Sequence, residues 1–378
     1  MIRFGKVVGF LVVLSWVLMG CSSEEQEGVR IPPLPNMNEG FSTPKALEFL
    51  SRAIQQYPDL AENYQKRAEI YLQRSELDAA LEDINTAINL KRNTGRYYVT
   101  KARILREKKQ INEALQAAQR AEILNERNPD VYVLLADLYQ RVNQLGKSRQ
   151  YLARTLQINP YYGEAYFYRG MIAAKLGDTT AALVLFMRTR TLVPGFLGAY
   201  QQLSSIYYQQ KDYLKALWFA REGLNYYPKD ADLHYRRGLA FTHTAQVDSA
   251  YAEFNKTLKV EPEHPGANMY AASILFGVQK VVPALKHLRI VEKTSPNYLG
   301  LNFLMAQCLE YTGDDDKAMD YYLEEARENP ANRKAVGGYW RTRRRQLTNY
   351  PYLRQEERYR PGLAVPDKTN GTAEGDTI

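Results

Sequence analysis

Small residues return along this chain with a fixed period. Ala46, Ala80, Ala114, Ser148, Ala182, Ala216, Ala250, Ala284 and Ala318 stand 34 residues apart, with no insertion between the first and the last. Full repeats starting at residues 61, 95, 129, 163, 197, 231, 265 and 299 put these residues at repeat position 20. Position 8 is equally uniform: Ala68, Ala102, Ala136, Gly170, Ser204, Gly238, Ala272 and Ala306. Positions 4, 7 and 11 fall three or four apart and form one apolar stripe, joined by position 24 further along. Each repeat therefore reads as two amphipathic helices that cross where both carry a small side chain. Proline at position 32 stops the second helix at Pro58, Pro160, Pro194, Pro228, Pro262, Pro296 and Pro330. Arg92 and Glu126 replace it, which predicts less rigid joints among the first three repeats. Pro283 falls in the first turn of its helix, where it is tolerated.

A fixed period of this size means stacked helical units. The pattern predicts an all-α superhelical solenoid of eight full repeats. Thr43-Pro44 opens a further helix whose Ala46, Leu50 and Ala53 match the second helix of a repeat, an N-terminal half-repeat. Residues 333–349, with Ala335, Val336, Tyr339 and Trp340, begin like a ninth first helix and form a C-terminal capping helix. The array then spans 43–332.

The fourth repeat carries Tyr166, Gly170, Ala173, Ala182, Phe186 and Pro194; the fifth carries Tyr200, Leu203, Ser204, Tyr207, Ala216 and Pro228. This pattern resembles the tetratricopeptide repeat over residues 44–332. The resemblance implies that first helices line the inner face of the superhelix, and that the chain holds a protein segment rather than catalysing a reaction. Positions 2, 5, 6, 9, 12 and 13 share one helix side. In the first repeats this side is polar, with Gln65, Lys66, Gln73, Arg106 and Glu107. From the fourth repeat it becomes aromatic. The candidate partner-binding residues are Tyr168, Tyr208, Tyr235, Arg236, Tyr270, Phe276, Leu304 and Tyr311. Tyrosine offers rigid contact area and a hydroxyl at little entropic cost. Phe167, Met269 and Phe303 at position 5 read equally well as packing between repeats. Chaperone-binding members of the family clamp a C-terminal carboxylate with Lys and Asn at positions 2 and 6. Position 2 here holds Glu62, Arg96, Asp130, Glu164, Gly198, Asp232, Gly266 and Gly300, which speaks for an extended or helical segment instead.

The remaining polar groups form no catalytic pattern. His234, His243, His264 and His287 make no metal-binding spacing, and no nucleophile elbow or phosphate-cradling glycine loop is present. The expectation is no enzyme, no cofactor and no metal. Cys308 reads as a small packed residue. Gly313-Asp314-Asp315-Asp316 reads as the turn between two helices rather than a calcium loop, and Gly177-Asp178 is the same turn. Arg67, Arg169 and Arg237 occupy position 7, which is ordinarily apolar, so each either reaches a carboxylate or loosens the packing.

The net charge of +8 is uneven. Residues 333–360 contribute nine Lys or Arg against two Glu. Arg341, Arg343, Arg344 and Arg345 form a basic patch that suits anionic lipid, lipopolysaccharide or an acidic partner, or is a solvated helix end. Nucleic acid is not expected. At the other end, Arg3 and Lys6 precede an apolar run from Val7 to Met19, too short to span a membrane, closing on Leu18-Met19-Gly20-Cys21. This resembles the bacterial lipobox, which implies a signal peptide over 1–20, cleavage before Cys21 and acylation of that residue. Three acyl chains anchor firmly, since each buried methylene adds about 0.8 kcal/mol. Ser22-Ser23-Glu24-Glu25-Gln26-Glu27 resembles the segment behind the anchor in outer-membrane and Bacteroidetes surface lipoproteins. Residues 21–42 read as a tether and 350–378 as an irregular, disordered tail. The expected place is a Gram-negative-type envelope, on the outer membrane. The expected role is a scaffold for a multiprotein envelope complex. The alternative is a module that binds glycan or peptidoglycan through its tyrosine-rich groove.

Overall fold

The computed structural model describes residues 43–124 and 126–349, which form α-helices joined by short turns. The expected signal segment, Cys21, the tether and the tail from residue 350 lie outside the described residues. No described helix is long and apolar enough to cross a membrane. The contacts divide the chain into two compact bodies, one ending at Leu124 and the other starting at Asn125. The N-terminal body holds α1 (Thr43–Gln56), α2 (Ala61–Gln73), α3 (Leu77–Leu90), α4 (Gly95–Glu107) and α5 (Ile111–Ile123). The C-terminal body opens with α6 (Pro129–Arg141), α7 (Leu145–Ile158), α8 (Gly163–Lys175), α9 (Thr179–Leu192), α10 (Leu197–Gln209) and α11 (Tyr213–Tyr226). It continues with α12 (Ala231–His243), α13 (Val247–Val260), α14 (Pro265–Gly277), α15 (Val281–Thr294), α16 (Leu301–Thr312), α17 (Asp315–Glu328) and α18 (Arg333–Asn349). The half-repeat, the eight helix pairs and the final helix are the all-α repeat architecture that the period predicts.

Helix starts follow the period closely. First helices begin at position 1, except α16, which begins at Leu301 because Gly300 takes a left-handed φ of 80°. Second helices begin at position 17 throughout. The turn before them is built alike each time. Position 15 has positive φ in all eight repeats: Ser75, Lys109, Asn143, Gly177, Lys211, Ala245, Gln279 and Gly313. Only two of these are glycine, so six side chains are held in a conformation that costs about 1–2 kcal/mol. Asp178, Asp212 and Asp314 at position 16 then cap the second helix by accepting from the N–H three residues on.

Within a repeat, the two helices meet at positions 8 and 20. Where position 24 is phenylalanine, position 8 is glycine: a Cβ on Gly170 would lie 2.7 Å from the Phe186 ring, and one on Gly238 would lie 2.6 Å from the Phe254 ring. Both rings are fully buried. Serine replaces alanine twice and is satisfied across the crossing. Ser148 Oγ donates to the Ala136 carbonyl at 2.8 Å, and Ser204 Oγ donates to the Ala216 carbonyl at 3.0 Å.

Between repeats, a second recurrent bond runs from position 4 to the carbonyl six residues earlier. Tyr98 donates to Arg92, Tyr166 to Pro160, Tyr200 to Pro194, and Asn268 to Pro262, at 2.5–3.1 Å. His234 Nε2 makes the same contact with the Pro228 carbonyl at 3.0 Å. The missing proline at Arg92 changes neither this bond nor the end of α3, which still falls at Leu90. The division between the two bodies falls beside Glu126 instead.

Two of the three arginines at position 7 reach a carboxylate at position 23 of the same repeat. Arg67 grips Asp83 with two bonds of 2.7 Å, and Arg237 meets Glu253 at 2.6 Å. In both bodies successive first helices touch each other more closely than successive second helices do, so the first helices face the inner side of the curve.

Candidate partner-binding groove

Two cavities open on the inner side of the C-terminal body. One of about 570 Å3 lies between α14 and α16 and is lined by Met269, Tyr270, Ser273, Tyr298, Phe303, Leu304 and Gln307, among others. The other, of about 400 Å3, lies between α6 and α8 and is lined by Asp137, Gln140, Arg141, Phe167, Tyr168, Met171 and Lys175. Apart from Tyr298, these residues stand at positions 5, 6, 9, 12 and 13 of a first helix. The periodicity thus sorts the inner wall as the structure does.

The wall is seated by glycines whose role the sequence reading missed. At position 2, a Cβ on Gly198 would lie 2.8 Å from the Phe167 ring of the preceding repeat. A Cβ on Gly266 would collide with the hydroxyl of Tyr235 in the same way. Gly300 receives Met269, whose Cε would lie 3.7 Å away. At Gly198 and Gly266 a bulky position 5 in one repeat thus lies across the start of the next first helix and glycine makes the room, whereas at Gly300 the contact is an ordinary one. The signal was visible: glycine at position 2 follows an aromatic or methionine at position 5 one repeat earlier. Phe167 packs further against Phe186 and Phe196, with ring centres 5.6 and 4.8 Å apart. It forms the floor beneath Tyr168, which meets it edge-on at 5.3 Å.

The tyrosines of α10, α12 and α14 form one cluster with Tyr298. Tyr208 Oη lies 3.0 Å from His243 Nε2, and the His243 ring stacks on Tyr213 with centres 4.4 Å apart. Tyr235 lies against His264 at 4.5 Å and against Tyr270 at 6.4 Å. Tyr270 stacks on Phe254 at 5.3 Å. Burial pushes the Tyr208 hydroxyl above its ordinary pKa, and Tyr270 and Tyr213 add to the shift. Tyr270 is raised by burial and then by Tyr298. Tyr235 is raised furthest, by burial first and then by Tyr298 and Tyr270. These phenols stay neutral across physiological pH and offer hydrogen bonds without charge.

The other candidates are placed as follows. Arg236 is held by Asp232 one turn earlier at 2.6 Å. Phe276 packs on the core of the last repeats and meets Tyr311 edge-on at 6.5 Å. Tyr311 is 58% exposed, whereas Leu304 is 7% exposed and belongs to that core as well as to the cavity wall. Arg341 makes a two-pronged ion pair with Glu310, both bonds at 2.7 Å, and Arg345 reaches the same carboxylate at 2.8 Å. Burial raises the Glu310 carboxyl, but bonds from Arg341 and Tyr322 outweigh it and hold it below the usual value. Arg345 also faces Asp315 at 3.3 Å. Arg343 bonds Gln346 at 2.6 Å, and Arg344 is exposed. Arg341 and Arg345 therefore tie α18 to α16 and α17.

The remaining groups serve the scaffold. The Cys308 thiol is fully buried and pushed up to about 12 by that burial. Asp314 caps α17, and His264 caps α14 through the Ala267 N–H at 3.0 Å. His287 Nδ1 bonds Asn268 Oδ1 at 2.7 Å. Among the described residues, no group of three His, Cys, Asp or Glu is arranged to hold a metal ion.

Comparison with known proteins agrees with this architecture. A tetratricopeptide repeat model matches residues 133–190. No curated protein matches the chain in sequence. Among solved structures, the chain is similar to one in the APC/C hetero-tetramer Cut9–Hcn1, at 14% identity and a TM-score of 0.57. That match covers 71% of this chain and 52% of the other, so this chain spans about half of that relative's length. It is also similar to PilF of Pseudomonas aeruginosa, at 18% identity and a TM-score of 0.52, covering 57% of this chain and 97% of that one. At such identities the likeness shows the fold, a tetratricopeptide-type helical repeat. Repeats of this type bind protein partners and are typically non-catalytic.

Proposed function

We propose that this chain is a non-catalytic protein-binding scaffold, anchored to an outer membrane through acyl chains on Cys21, that supports a multiprotein envelope complex such as a secretion, motility, pilus or cell-wall machine. The observation that carries the reading is the inner wall of the C-terminal body. There, Tyr270, Tyr298, Met269 and Leu304 line a cavity of about 570 Å3 in a helical repeat. Such a surface suits an extended or helical protein segment that inserts an apolar side chain and meets hydroxyls on either side. The lipobox-like Leu18-Met19-Gly20-Cys21 motivates the anchor, and the tether of 21–42 would hold the array away from the membrane.

A glycan guest is the weaker reading. Sugars stack on free aromatic faces, but Tyr270 already stacks on Phe254 and Tyr213 on His243. Two experiments test the proposal. Affinity purification from detergent-solubilised envelopes is expected to recover a defined set of envelope proteins, lost when Tyr168 and Tyr270 are both changed to Ala. Recovery of the bare chain alone, or retention on sedimented peptidoglycan, would overturn it. Cys21→Ser is expected to move the protein from the membrane to the soluble fraction; an unchanged distribution would remove the anchor from the account.

A further inference from the structure

The arginine at position 7 behaves differently in the fourth repeat. In the first and sixth repeats this arginine is neutralised from within, by Asp83 and by Glu253 at position 23. In the fourth repeat position 23 is Leu185, and Arg169 is exposed. Neither Arg169 nor Arg149 on the preceding helix α7 has an ion-pair partner among the described residues. Both arginines line one cleft of about 380 Å3, together with Ala153, Ile172, Ala173, Leu176, Leu185 and Asp178. Asp178 is the only acid in that lining, and its Oδ1 is already used to cap α9 through the Ala181 N–H at 2.9 Å. The cleft thus carries two cations to one anion over an aliphatic floor that includes exposed Leu176 and half-buried Leu185. It shares no residue with the tyrosine wall.

We propose that this cleft is a second docking site, which takes a protein segment presenting an Asp or Glu side chain beside an aliphatic one. The partner's carboxylate supplies Arg169 with the negative charge that Asp83 and Glu253 give the matching arginines in the other two repeats. Its aliphatic neighbour covers exposed Leu176 and half-buried Leu185. A free inorganic anion would leave the apolar floor wet, and a nucleic-acid phosphate would find neither an aromatic face nor a second cation row. Guanidinium–carboxylate pairing is directional and two-pronged, which favours a fixed acidic side chain.

The test uses the full chain and a displayed library of random twelve-residue peptides, with selected sequences remade and measured by fluorescence anisotropy. The expected result is a class of peptides sharing an acidic–aliphatic pair. Their binding falls about tenfold or more in Arg169→Gln. The decisive variant is Leu185→Glu, which restores within the fourth repeat the pair already present in the first and sixth. It is expected to keep the helical spectrum and melting temperature while abolishing binding of that class. Tyr270→Ala is expected to leave it unchanged. Arg149→Gln supplies a second reading should Leu185→Glu lower the helical signal, with a loss of at least fivefold expected. Peptides without an acidic residue, affinities equal within twofold in Arg169→Gln, or Arg169-dependent binding of phosphatidylglycerol vesicles in place of any peptide class would each overturn the proposal.

Discussion

Replacing Glu253 by Gln should destabilise the sixth repeat in a way that depends on pH. The carboxylate is 4% exposed and has three basic neighbours: His234 Nδ1 at 2.7 Å, Arg237 Nη2 at 2.6 Å and Lys256 Nζ at 2.9 Å. Burial alone would raise its pKa. The bonds from Arg237, His234 and Lys256 overcome that and bring it from 4.5 down to about 2. A difference of that size corresponds to about 3 kcal/mol of stability held by the ionised form. Removing one side of a buried ion pair costs about 3–5 kcal/mol by a separate route, which agrees. Because the folded pKa lies below the unfolded one, this contribution is complete above about pH 4.5 and is lost as pH falls toward 2. At about 2–4 °C per kcal/mol, Glu253→Gln should lower the melting temperature at pH 7 by about 6–12 °C. The assay is a set of circular-dichroism melts from pH 7 to pH 3. The wild-type and variant curves should converge as the pH drops. A variant that melts within 1 °C of wild type at pH 7, or a gap that stays constant down to pH 3, would refute the reasoning.

Other positions give equally direct outcomes. Gly238→Ala would force a methyl group against the Phe254 ring and is expected to cost about 1–3 kcal/mol, read as a lower melting temperature. Ala245→Gly relieves a left-handed alanine at φ 58° and is expected to raise stability by about 0.5–1 kcal/mol in urea titrations. In a Cys21→Ser background, Cys308 is expected to resist iodoacetamide at pH 8 and to react once the chain is unfolded, because its thiol is buried and raised to about 12.

Much of the fold was legible because the period never slips. Positions 1, 8 and 20 could be assigned from spacing alone, and the inner wall followed from the same register. What escaped the sequence lies between elements. The left-handed turn residue was visible at Gly177 and Gly313, but Ser75, Lys109, Asn143, Lys211, Ala245 and Gln279 adopt it without the glycine that advertises it. The surrounding turn imposes the conformation there, not the residue. The Arg67–Asp83 and Arg237–Glu253 pairs join residues sixteen apart on different helices, so they appear only once the helix crossing is known. Tyrosines at position 4 looked like apolar stripe members; their hydroxyls bind the carbonyl six residues earlier and fasten one repeat to the next. Leu304 read as a surface contact from its position, yet the last repeats bury most of it. The arginines near the C-terminus looked like one patch, but Glu310 draws two of them onto the array.

The central claim is that a protein segment lies along the inner wall of the C-terminal body. Gln307 lines the α14–α16 cavity, whereas Arg188 is exposed on α9, a second helix, and faces the Tyr166 ring with its guanidinium 5.8 Å from the ring centre. A photo-crosslinking amino acid placed at each position in turn, in intact cells, compares the two faces in the same molecule. The account predicts a discrete crosslinked protein from position 307 that disappears with Tyr270→Ala, and none of that mass from position 188. The same product from both positions, or none from 307 while the protein remains folded, would contradict it.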